Sequence, residues 1–509
     1  MNLISKEKLS DRPAACLAVL GTGSDVGKSI VVTAICRFLV NRGLRVAPFK
    51  AQNMSNNSGV TPEGLEMGRA QIVQAEAARV VPHVNMNPIL LKPTSEVGSQ
   101  VVVLGKAISN QTASDYHQKK KDLFKTACHA LDRLRSVYDV VVMEGAGSCA
   151  EVNLMAHDLV NLPMAAYADA PVILVGDIHR GGIFAQMLGT LACLPEKDAG
   201  RIRALLVNRF RGDITLFSDG VDWLEKRTGR QVLGVLPWFD HIHIEAEDSV
   251  VIEKPRSSSS HAAGGPPVAV IRLPHISNFT DFDPLDNHVG LQLAYLQKPV
   301  DLGGFAAVIL PGSKNTRFDL AWLKQTGWDA LLKAYCRDGG HVLGICGGFQ
   351  MMGHSVYDPH GLEGDPGKSA GLRMLPVETV LQAPKTTTVT RFSWQAARGS
   401  GYEIHMGQTR LLGGRPLLAI HERNGQACSE TDGCFDPDSG AMGTYLHGFF
   451  DNPAVTRQWL DHIGLPHLDV DEGLGIDTRD RQYDLLTDHF EKHIDTGLLL
   501  QLTGRGRNV

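Results

Sequence analysis

The sequence lacks several features that would define its class at once. Its 50 Lys and Arg against 55 Asp and Glu give a formal net charge of −5, so there is no basic field to attract nucleic acid or an anionic membrane. No apolar run approaches the roughly 18 residues of a membrane-spanning helix, and the first residues are too charged for a signal peptide. The nine cysteines form no C-x-x-C pair, which argues against a disulfide framework or zinc ribbon and for a reducing cytoplasm. We therefore expect a soluble cytoplasmic protein without nucleic-acid or membrane partners.

The chain divides at a linker. Glu253–Pro267 reads EKPRSSSSHAAGGPP, a composition that continues neither a helix nor a strand. On both sides of it, short apolar runs alternate with helix-length segments, as in parallel sheets buried on both faces. We predict an α/β fold with two domains, residues 1–252 and 268–455, and a helical extension over residues 456–509. The runs are Cys16–Leu20, Val46–Phe49, Val140–Met143, Val172–Val175, Leu205–Val207, Val268–Ile271, Ala306–Leu310 and His341–Ile345.

A glycine-rich loop follows the first apolar run and opens a helix-like segment over Ile30–Asn41. Glycines let backbone N–H groups approach phosphate closely, and the helix N-terminus adds favourable partial charge. Lys28 can reach the β- and γ-phosphates, and the Ser29 hydroxyl can ligate Mg²⁺. Thr22 stands where the strict pattern has glycine, so the loop is a one-residue variant. The predicted nucleotide site comprises Gly21, Thr22, Gly23, Gly27, Lys28 and Ser29.

Three further polar residues end predicted strands, where open α/β sheets bind ligands. Glu144 follows Tyr138–Met143 and can hold Mg²⁺ directly or through water. Asp177 has the same placement, and nearby Arg180 could clamp a carboxylate or phosphate or form a surface ion pair. Asn208 stands where nucleotide-binding folds place a base-reading amide, or it caps a turn.

A second motif lies in the rear half. The run His341–Ile345 leads into Cys346, which two glycines follow. This pattern is typical of a sharp strand-to-helix turn that exposes a nucleophile. The N-terminus of the following helix would favour the thiolate form of the cysteine. The alternative is an inert core cysteine, but a packing residue does not require small neighbours.

A cysteine nucleophile needs a base and an oxyanion hole. His447 ends the short run Ala441–Leu446 and is followed by glycine, which singles it out among twenty histidines. The backbone at Gly312 and the N–H of Gly347 are candidate oxyanion donors.

Together these motifs resemble the glutamine-dependent amidotransferases of cobalamin biosynthesis, in which a dethiobiotin-synthetase-like domain is fused to a class-I-type, flavodoxin-like glutaminase domain. Further stretches are similar to the branch that makes cobyric acid. They are Pro48–Ser55, Asn87–Thr94, Asn208–Asp213, Ile276–Leu285 and Gly401–Gly407.

The resemblance implies a reaction and further site residues. ATP with Mg²⁺ would convert carboxylates of a corrinoid substrate, adenosylcobyrinic acid a,c-diamide, to acyl phosphates at positions b, d, e and g, and glutamine would supply ammonia. By likeness to dethiobiotin synthetase, Glu66, in a helix beginning near Pro62, is either a Mg²⁺ ligand or a solvated carboxylate. Lys50 could neutralise phosphate or substrate charge.

The sequence departs from the family pattern in two places. Gly448 and Phe449 follow His447 where many class I glutaminases have H-P-E, so the resemblance implies a Cys–His dyad. His179 stands where an aspartate is expected. The competing interpretations are a synthase that amidates positions a and c, a P-loop ATPase switch whose rear domain is only a partner surface, and a lone glutaminase that delivers ammonia to another protein. Cys346 and His447 oppose the switch, and the intact P-loop opposes the lone glutaminase.

Overall fold

A computed structural model describes residues 13–93, 98–245, 247, 265–470 and 476–504. Most of the predicted linker, residues 253–264, lies outside the described residues. The front domain is built on a six-stranded sheet in which every neighbouring pair is parallel. Its strands are, in spatial order, Gln231–Pro237, Ile202–Phe210, Val172–Asp177, Ala15–Gly21, Val140–Glu144 and Val46–Phe49.

The central strands of this sheet are apolar up to their last residue because helices cover both faces. All five residues of Val140–Glu144 and all six of Val172–Asp177 are buried. Since parallel strands end at one edge, Gly21, Glu144 and Asp177 all lie at the carboxyl edge of the sheet. The helices of this domain are Lys28–Val40, Arg69–Ala77, Ala113–Arg135, Leu162–Tyr167, Ile183–Cys193, Glu196–Ala199 and Ser218–Thr228, with 3₁₀ turns at Val84–Met86, Met155–His157 and Ile214–Phe217.

Two smaller sheets sit on the front domain. A hairpin pairs Ser58–Val60 with Glu66–Gly68, so the helix expected near Pro62 is wrong. Gly64 has φ of 77° and closes the turn, where its N–H donates to the carbonyl of Thr61. This left-handed conformation interrupts a helix but suits glycine. The four-stranded sheet consists of Gln52–Met54, Ile89–Pro93, Gly98–Val103 and Lys106–Thr112.

The rear domain repeats the α/β arrangement, which confirms the predicted fold class. Its six-stranded sheet is parallel apart from the antiparallel edge strand Cys434–Phe435. The strands are, in spatial order, Gln292–Leu296, Pro267–Ile271, Ala307–Leu310, His341–Ile345, Met442–Thr444 and Cys434–Phe435. The helices are Asp283–Asp286, Thr316–Gln325, Trp328–Arg337, Gly347–Met352 and Pro453–His462, with 3₁₀ turns at Phe279–Phe282 and Phe449–Asp451.

Short strands complete the rear domain. Ile276–Ser277 pairs antiparallel with Gly312–Ser313 beside the main sheet. Two four-stranded sheets follow helix Gly347–Met352 in the chain. Their strands are Gly367–Ala370, Ser355–Asp358, Val377–Val380 and Gln408–Leu411 in one, and Ala397–His405, Thr386–Trp394, Leu418–Arg423 and Gln426–Asp432 in the other.

The C-terminal helices Ile476–Glu491 and Thr496–Leu502 pack on the front domain, although they follow the rear domain in sequence. Phe490 and Leu499 are buried in the same hydrophobic cluster as helix Lys28–Val40. The extension therefore returns the chain from the rear domain to the front domain. Within the described ranges, no helix combines the length and apolarity needed to cross a lipid bilayer.

Candidate active sites

The glycine-rich loop joins strand Ala15–Gly21 to helix Lys28–Val40. Gly27 has φ of 95°, and a Cβ there would lie 2.1 Å from the Asn208 side-chain amide nitrogen, so only glycine fits. The Lys28 ammonium is buried and donates to the carbonyls of Gly23 and Gly147, each at 3.0 Å. Lys28 therefore crosses the concave side of the loop, as a phosphate-binding lysine must.

The departure at Thr22 is accommodated by its neighbours. The Thr22 N–H donates to the Val175 carbonyl at 2.9 Å, and its hydroxyl donates to Gln186 at 3.3 Å. At Gly21, by contrast, a Cβ would lie 2.8 Å from the Val26 side chain. The glycine that this loop needs is therefore at 21, and position 22 has room for a side chain.

An oxygen-rich cluster lies at the start of the helix. The Ser29 hydroxyl lies 2.8 Å from Glu144 Oε1 and 2.9 Å from Glu247 Oε2. The Lys50 ammonium bridges the same carboxylates, at 2.9 Å from Glu144 and 2.6 Å from Glu247. Gln74 donates to the other oxygen of Glu144. The structure thus brings Ser29, Glu144 and Lys50 together, as predicted, and adds Glu247 and Gln74.

The charges in this cluster influence one another strongly because it is buried. Burial and the nearby positive charge of Lys50 lower the pKa of Lys28, although Glu144 and Glu247 oppose this. Burial would also lower the pKa of Lys50, but the two carboxylates outweigh it and raise that pKa above its usual value. The ammonium of Lys50 lowers the pKa of Glu247 against the effect of burial. A negatively charged phosphate would favour the charged form of Lys28.

The structure does not bring Glu66 into this cluster. Its carboxylate is almost fully buried and is held by Lys92 at 2.8 Å, by Lys385 at 2.7 Å and by the Ser58 hydroxyl at 2.9 Å. Burial raises the pKa of Glu66, but Lys385 and Lys92 lower it well below its usual range. Glu66 is therefore not a solvated carboxylate, and its two lysine partners lie where a Mg²⁺ ligand would need a free oxygen.

Asp177 and Arg180 lie beside the loop and are held by other ion pairs. Asp177 accepts from Arg209 at 3.0 Å, and exposed Arg180 pairs with Asp25 at 3.1 Å. This favours the ion-pair alternative for Arg180. Asn208 donates to the Val26 carbonyl at 2.8 Å and so supports the loop.

His179, which stands where the family pattern has an aspartate, lies in the turn after strand Val172–Asp177. Its N–H donates to Asp177, and its ring contacts Trp238 with centroids 5.2 Å apart.

The rear domain contains the sharp turn expected at Cys346. Strand His341–Ile345 ends there and helix Gly347–Met352 begins, and Cys346 has φ of 51° and ψ of −108°. A non-glycine residue in this region costs about 1–3 kcal/mol, which is typical of functional positions. A Cβ at Gly348 would lie 2.0 Å from the Leu310 carbonyl oxygen. The glycines after Cys346 therefore serve the close packing of the turn.

His447 is oriented by Asp281, which the sequence reasoning missed. His447 Nδ1 lies 2.6 Å from Asp281 Oδ2, and the Gly448 N–H donates to Asp281 Oδ1 at 3.0 Å. Burial alone would lower the pKa of His447, but the carboxylate of Asp281 and the neighbouring Cys346 raise it to about 10. The arrangement is a Cys–His–Asp triad, which corrects the expected dyad.

The two candidate oxyanion glycines lie on either side of this triad. A Cβ at Gly312 would lie 3.3 Å from His447 Cε1, and a Cβ at Gly347 would lie 2.8 Å from the Ser313 nitrogen. Strand Gly312–Ser313 therefore packs against the turn that contains Cys346. Both glycines lie beside the turn at Cys346 and stay candidates for the oxyanion hole.

The resemblance implies glutamine hydrolysis at this site, and we expect Asp281→Asn to reduce its kcat/KM by about 10²–10⁴-fold, because the amide neither holds the required tautomer nor stabilises the imidazolium. Loss of the carboxylate also lowers the pKa of His447, so the alkaline decline of activity, where the imidazolium loses its proton, should move to lower pH. A pH profile of glutamate release measures both effects. Asp301→Asn, at an exposed carboxylate of the same domain, is the control, and an unchanged alkaline limb in Asp281→Asn would contradict the assignment.

Polar contacts join the triad region to the front domain. The Thr280 hydroxyl donates to Asn57 Oδ1 at 3.1 Å, and the Ser58 N–H donates to Asn278 Oδ1 at 3.1 Å. Lys385 reaches across to Glu66, as described above. Asp281 therefore lies directly behind the domain interface.

Some of the missed residues had a signal in the sequence. Asp281 lies within Ile276–Leu285, a stretch that carried the resemblance but was assigned no role. Glu247 lies in an acidic group just before the linker, and nothing in its spacing relates it to Ser29. Both become recognisable only when distant segments are brought together.

Comparisons with known proteins agree with this geometry. Residues 17–251 match the model of the CobQ/CobB/MinD/ParA nucleotide binding domain, and residues 267–455 match that of the CobB/CobQ-like glutamine amidotransferase domain. A cobyric acid synthase of Chlorobium phaeobacteroides (strain BS1) is 51% identical over 96% of this chain and 99% of its own. Those of Chlorobaculum tepidum and Syntrophobacter fumaroxidans are 49% and 47% identical, each over 96% of this chain and 98% of its own.

Proposed function

The chain belongs to the cobyric acid synthase family, and on that premise we propose how its residues divide the work. It is a glutamine-hydrolysing carbon–nitrogen ligase with an ATP-binding front domain and a glutaminase rear domain. The front domain activates a carboxylate with ATP, and the rear domain releases ammonia from glutamine. The substrate is adenosylcobyrinic acid a,c-diamide, whose b, d, e and g carboxylates are amidated. All nine cysteines are free thiols, which agrees with a cytoplasmic location.

Activation is needed because a carboxylate has no usable leaving group. A substrate carboxylate oxygen attacks the γ-phosphorus of ATP, ADP leaves, and an acyl phosphate forms. Lys28, which now spans the carbonyls of Gly23 and Gly147, would hold the β- and γ-phosphates as charge develops on them. Lys50 would neutralise the carboxylate that approaches.

The residues at the start of the helix fit a magnesium ion. Carboxylate oxygens of Glu144 and Glu247 lie within 2.9 Å of the Ser29 hydroxyl oxygen. Mg²⁺ prefers such oxygen ligands together with substrate phosphates. When bound, Mg²⁺ supplies charge neutralisation at the transferring phosphoryl group. Across the described ranges, no group of three or more His, Cys, Asp and Glu forms a metal cage, so this site would depend on the nucleotide for its remaining ligands.

Ammonia release uses the triad. The Cys346 sulfur attacks the side-chain carbonyl carbon of glutamine while Gly312 and Gly347 donate to the oxyanion. His447 gives a proton to the departing nitrogen, ammonia leaves, and water then hydrolyses the thioester to glutamate. Ammonia displaces phosphate from the acyl phosphate and forms the amide.

One observation supports this proposal above the others. A single chain contains a phosphate loop whose lysine, Lys28, is buried against the loop, and a Cys–His–Asp triad at the strained turn of Cys346. Purified protein should be supplied with ATP, Mg²⁺, glutamine and the a,c-diamide, and the corrinoid followed by mass spectrometry. We expect four successive mass decreases, each equal to the exchange of OH for NH₂. A product that stops after fewer exchanges under excess glutamine and ATP would oppose the assignment.

A further inference from the structure

A cavity of about 1210 Å³ connects the nucleotide site with the rear domain. Its inner end is lined by Ser29, Lys50 and Glu247. Pockets for ordinary small ligands occupy roughly 300–1,000 Å³, so this cavity is larger than a nucleotide alone requires. Among the described residues that line it, neither Cys346 nor His447 is included. It is therefore distinct from the glutaminase site.

The front-domain wall of this cavity includes exposed apolar side chains. Leu154 and Met155 lie in the segment that follows Glu144, and Met54 ends strand Gln52–Met54. Leu154 is 51% exposed and Met54 is 54% exposed. Exposed apolar side chains that line one cavity mark a binding surface rather than the scattered apolar residues of an ordinary surface.

The opposite wall is supplied by the rear domain. Edge strand Gln292–Leu296 contributes Leu293, Ala294 and Tyr295, and Arg272 follows the adjacent strand. Leu293 and Tyr295 are partly buried against the core of the rear domain, so a ligand would meet a preformed apolar face. None of these residues belongs to the Cys–His–Asp triad.

Charged side chains of both signs line the cavity. The cationic ones include Lys50 at the inner end, Lys120, Arg209 and Arg272, and the acidic ones are Asp25, Glu151, Asp158, Glu245, Glu247, Asp283 and Asp286. A large ring with apolar faces and a mixture of carboxylates and amides around its edge matches apolar walls with groups of both signs, because amide N–H groups donate to carboxylates and ligand carboxylates accept from cations.

We propose that this cavity binds the corrinoid, with its ring between Leu154 of the front domain and Leu293 and Tyr295 of the rear domain, and one carboxylate directed to the nucleotide site at the inner end. The proposal rests on the function proposed above and adds that the glutaminase domain forms one wall of the acceptor site. Corrinoid binding then requires both domains, and the face of the rear domain that binds it is separate from the one that hydrolyses glutamine.

The test places a charge on each wall of the full-length protein. Leu293→Glu and Leu154→Glu should each raise the Kd for adenosylcobyrinic acid a,c-diamide at least tenfold, measured by equilibrium dialysis with detection of the corrin absorbance. Both variants should retain ATP binding and glutamine hydrolysis, which also report correct folding. Val289→Glu, at an exposed apolar residue of the rear domain outside the cavity, is the matched control.

The outcomes separate the two proposals. Weaker binding in both variants but not in the control supports the site. If only Leu154→Glu weakens binding, the wall assigned to the rear domain is wrong. If Leu293→Glu does not fold, the milder variant Leu293→Ser repeats the test. Unchanged binding in both variants overturns the whole site. Failure of the unaltered protein to bind the corrinoid at all would instead refute the proposed function.

Discussion

Cys346→Ser is expected to abolish glutamine-dependent amidation, by about a thousandfold or more, while ammonia-dependent amidation continues at its normal rate. The serine hydroxyl is a much weaker nucleophile than a thiolate in a site built around Cys346 and His447. The phosphate loop lies in the other domain and is untouched by the change. The measurement is product mass with either glutamine or ammonium chloride as nitrogen source, at a pH that leaves some free ammonia.

The matched control for this experiment is Cys434→Ser. Cys434 is a buried cysteine of the same domain, and its sulfur lies 4.0 Å from the Gly413 carbonyl oxygen rather than at the turn that contains Cys346. We expect this variant to keep glutamine-dependent activity. If Cys346→Ser folds normally, as judged by its melting temperature, yet loses amidation with both nitrogen sources, the separation of the two sites is refuted.

Lys28→Ala should remove amidation with either nitrogen source, by about 10²–10³-fold or more. Losses of this size follow removal of a single preorganised donor from a site where charge develops. Glutamine hydrolysis should persist, because Cys346, His447 and Asp281 do not depend on Lys28. ADP formation, product mass and glutamate release, measured on the same sample, distinguish these effects.

Lys125→Ala provides the comparison for Lys28. Lys125 is 71% exposed and pairs with Asp122 on the surface of the same domain, so its loss should leave every activity unchanged. Since Lys28 also holds the carbonyls of Gly23 and Gly147, a nucleotide-binding measurement should accompany the assay. Normal amidation by Lys28→Ala would show that the loop does not bind the transferring phosphate.

Local patterns predicted the strands well. Val46–Phe49 and His341–Ile345 were predicted with the bounds that the structure has, and Val172–Asp177 continues only two residues beyond its prediction. Buried parallel strands are short apolar runs, so their residues reveal them directly. Prediction failed near Pro62, where family likeness suggested a helix but Gly64 closes a hairpin.

The surroundings of Glu66 were also beyond the sequence. Likeness to dethiobiotin synthetase suggested a Mg²⁺ ligand or a solvated carboxylate there, and neither alternative includes lysine partners. The partners of Glu66 are Lys92 and Lys385, and Lys385 lies 319 residues away in the chain. An ion pair between domains leaves no periodicity or spacing that a single sequence could show.

By itself, the sequence determined the two α/β domains, the phosphate loop at Gly21–Ser29 and the turn at Cys346. These depend on interactions within a few residues, such as glycine conformation and the burial of short apolar runs. Only the tertiary structure decided that Asp281 orients His447 across 166 residues, that Glu247 joins Ser29, and that both domains enclose one cavity. The reason is that side chains distant in the chain meet only where the order of strands and the packing of the domains place them together.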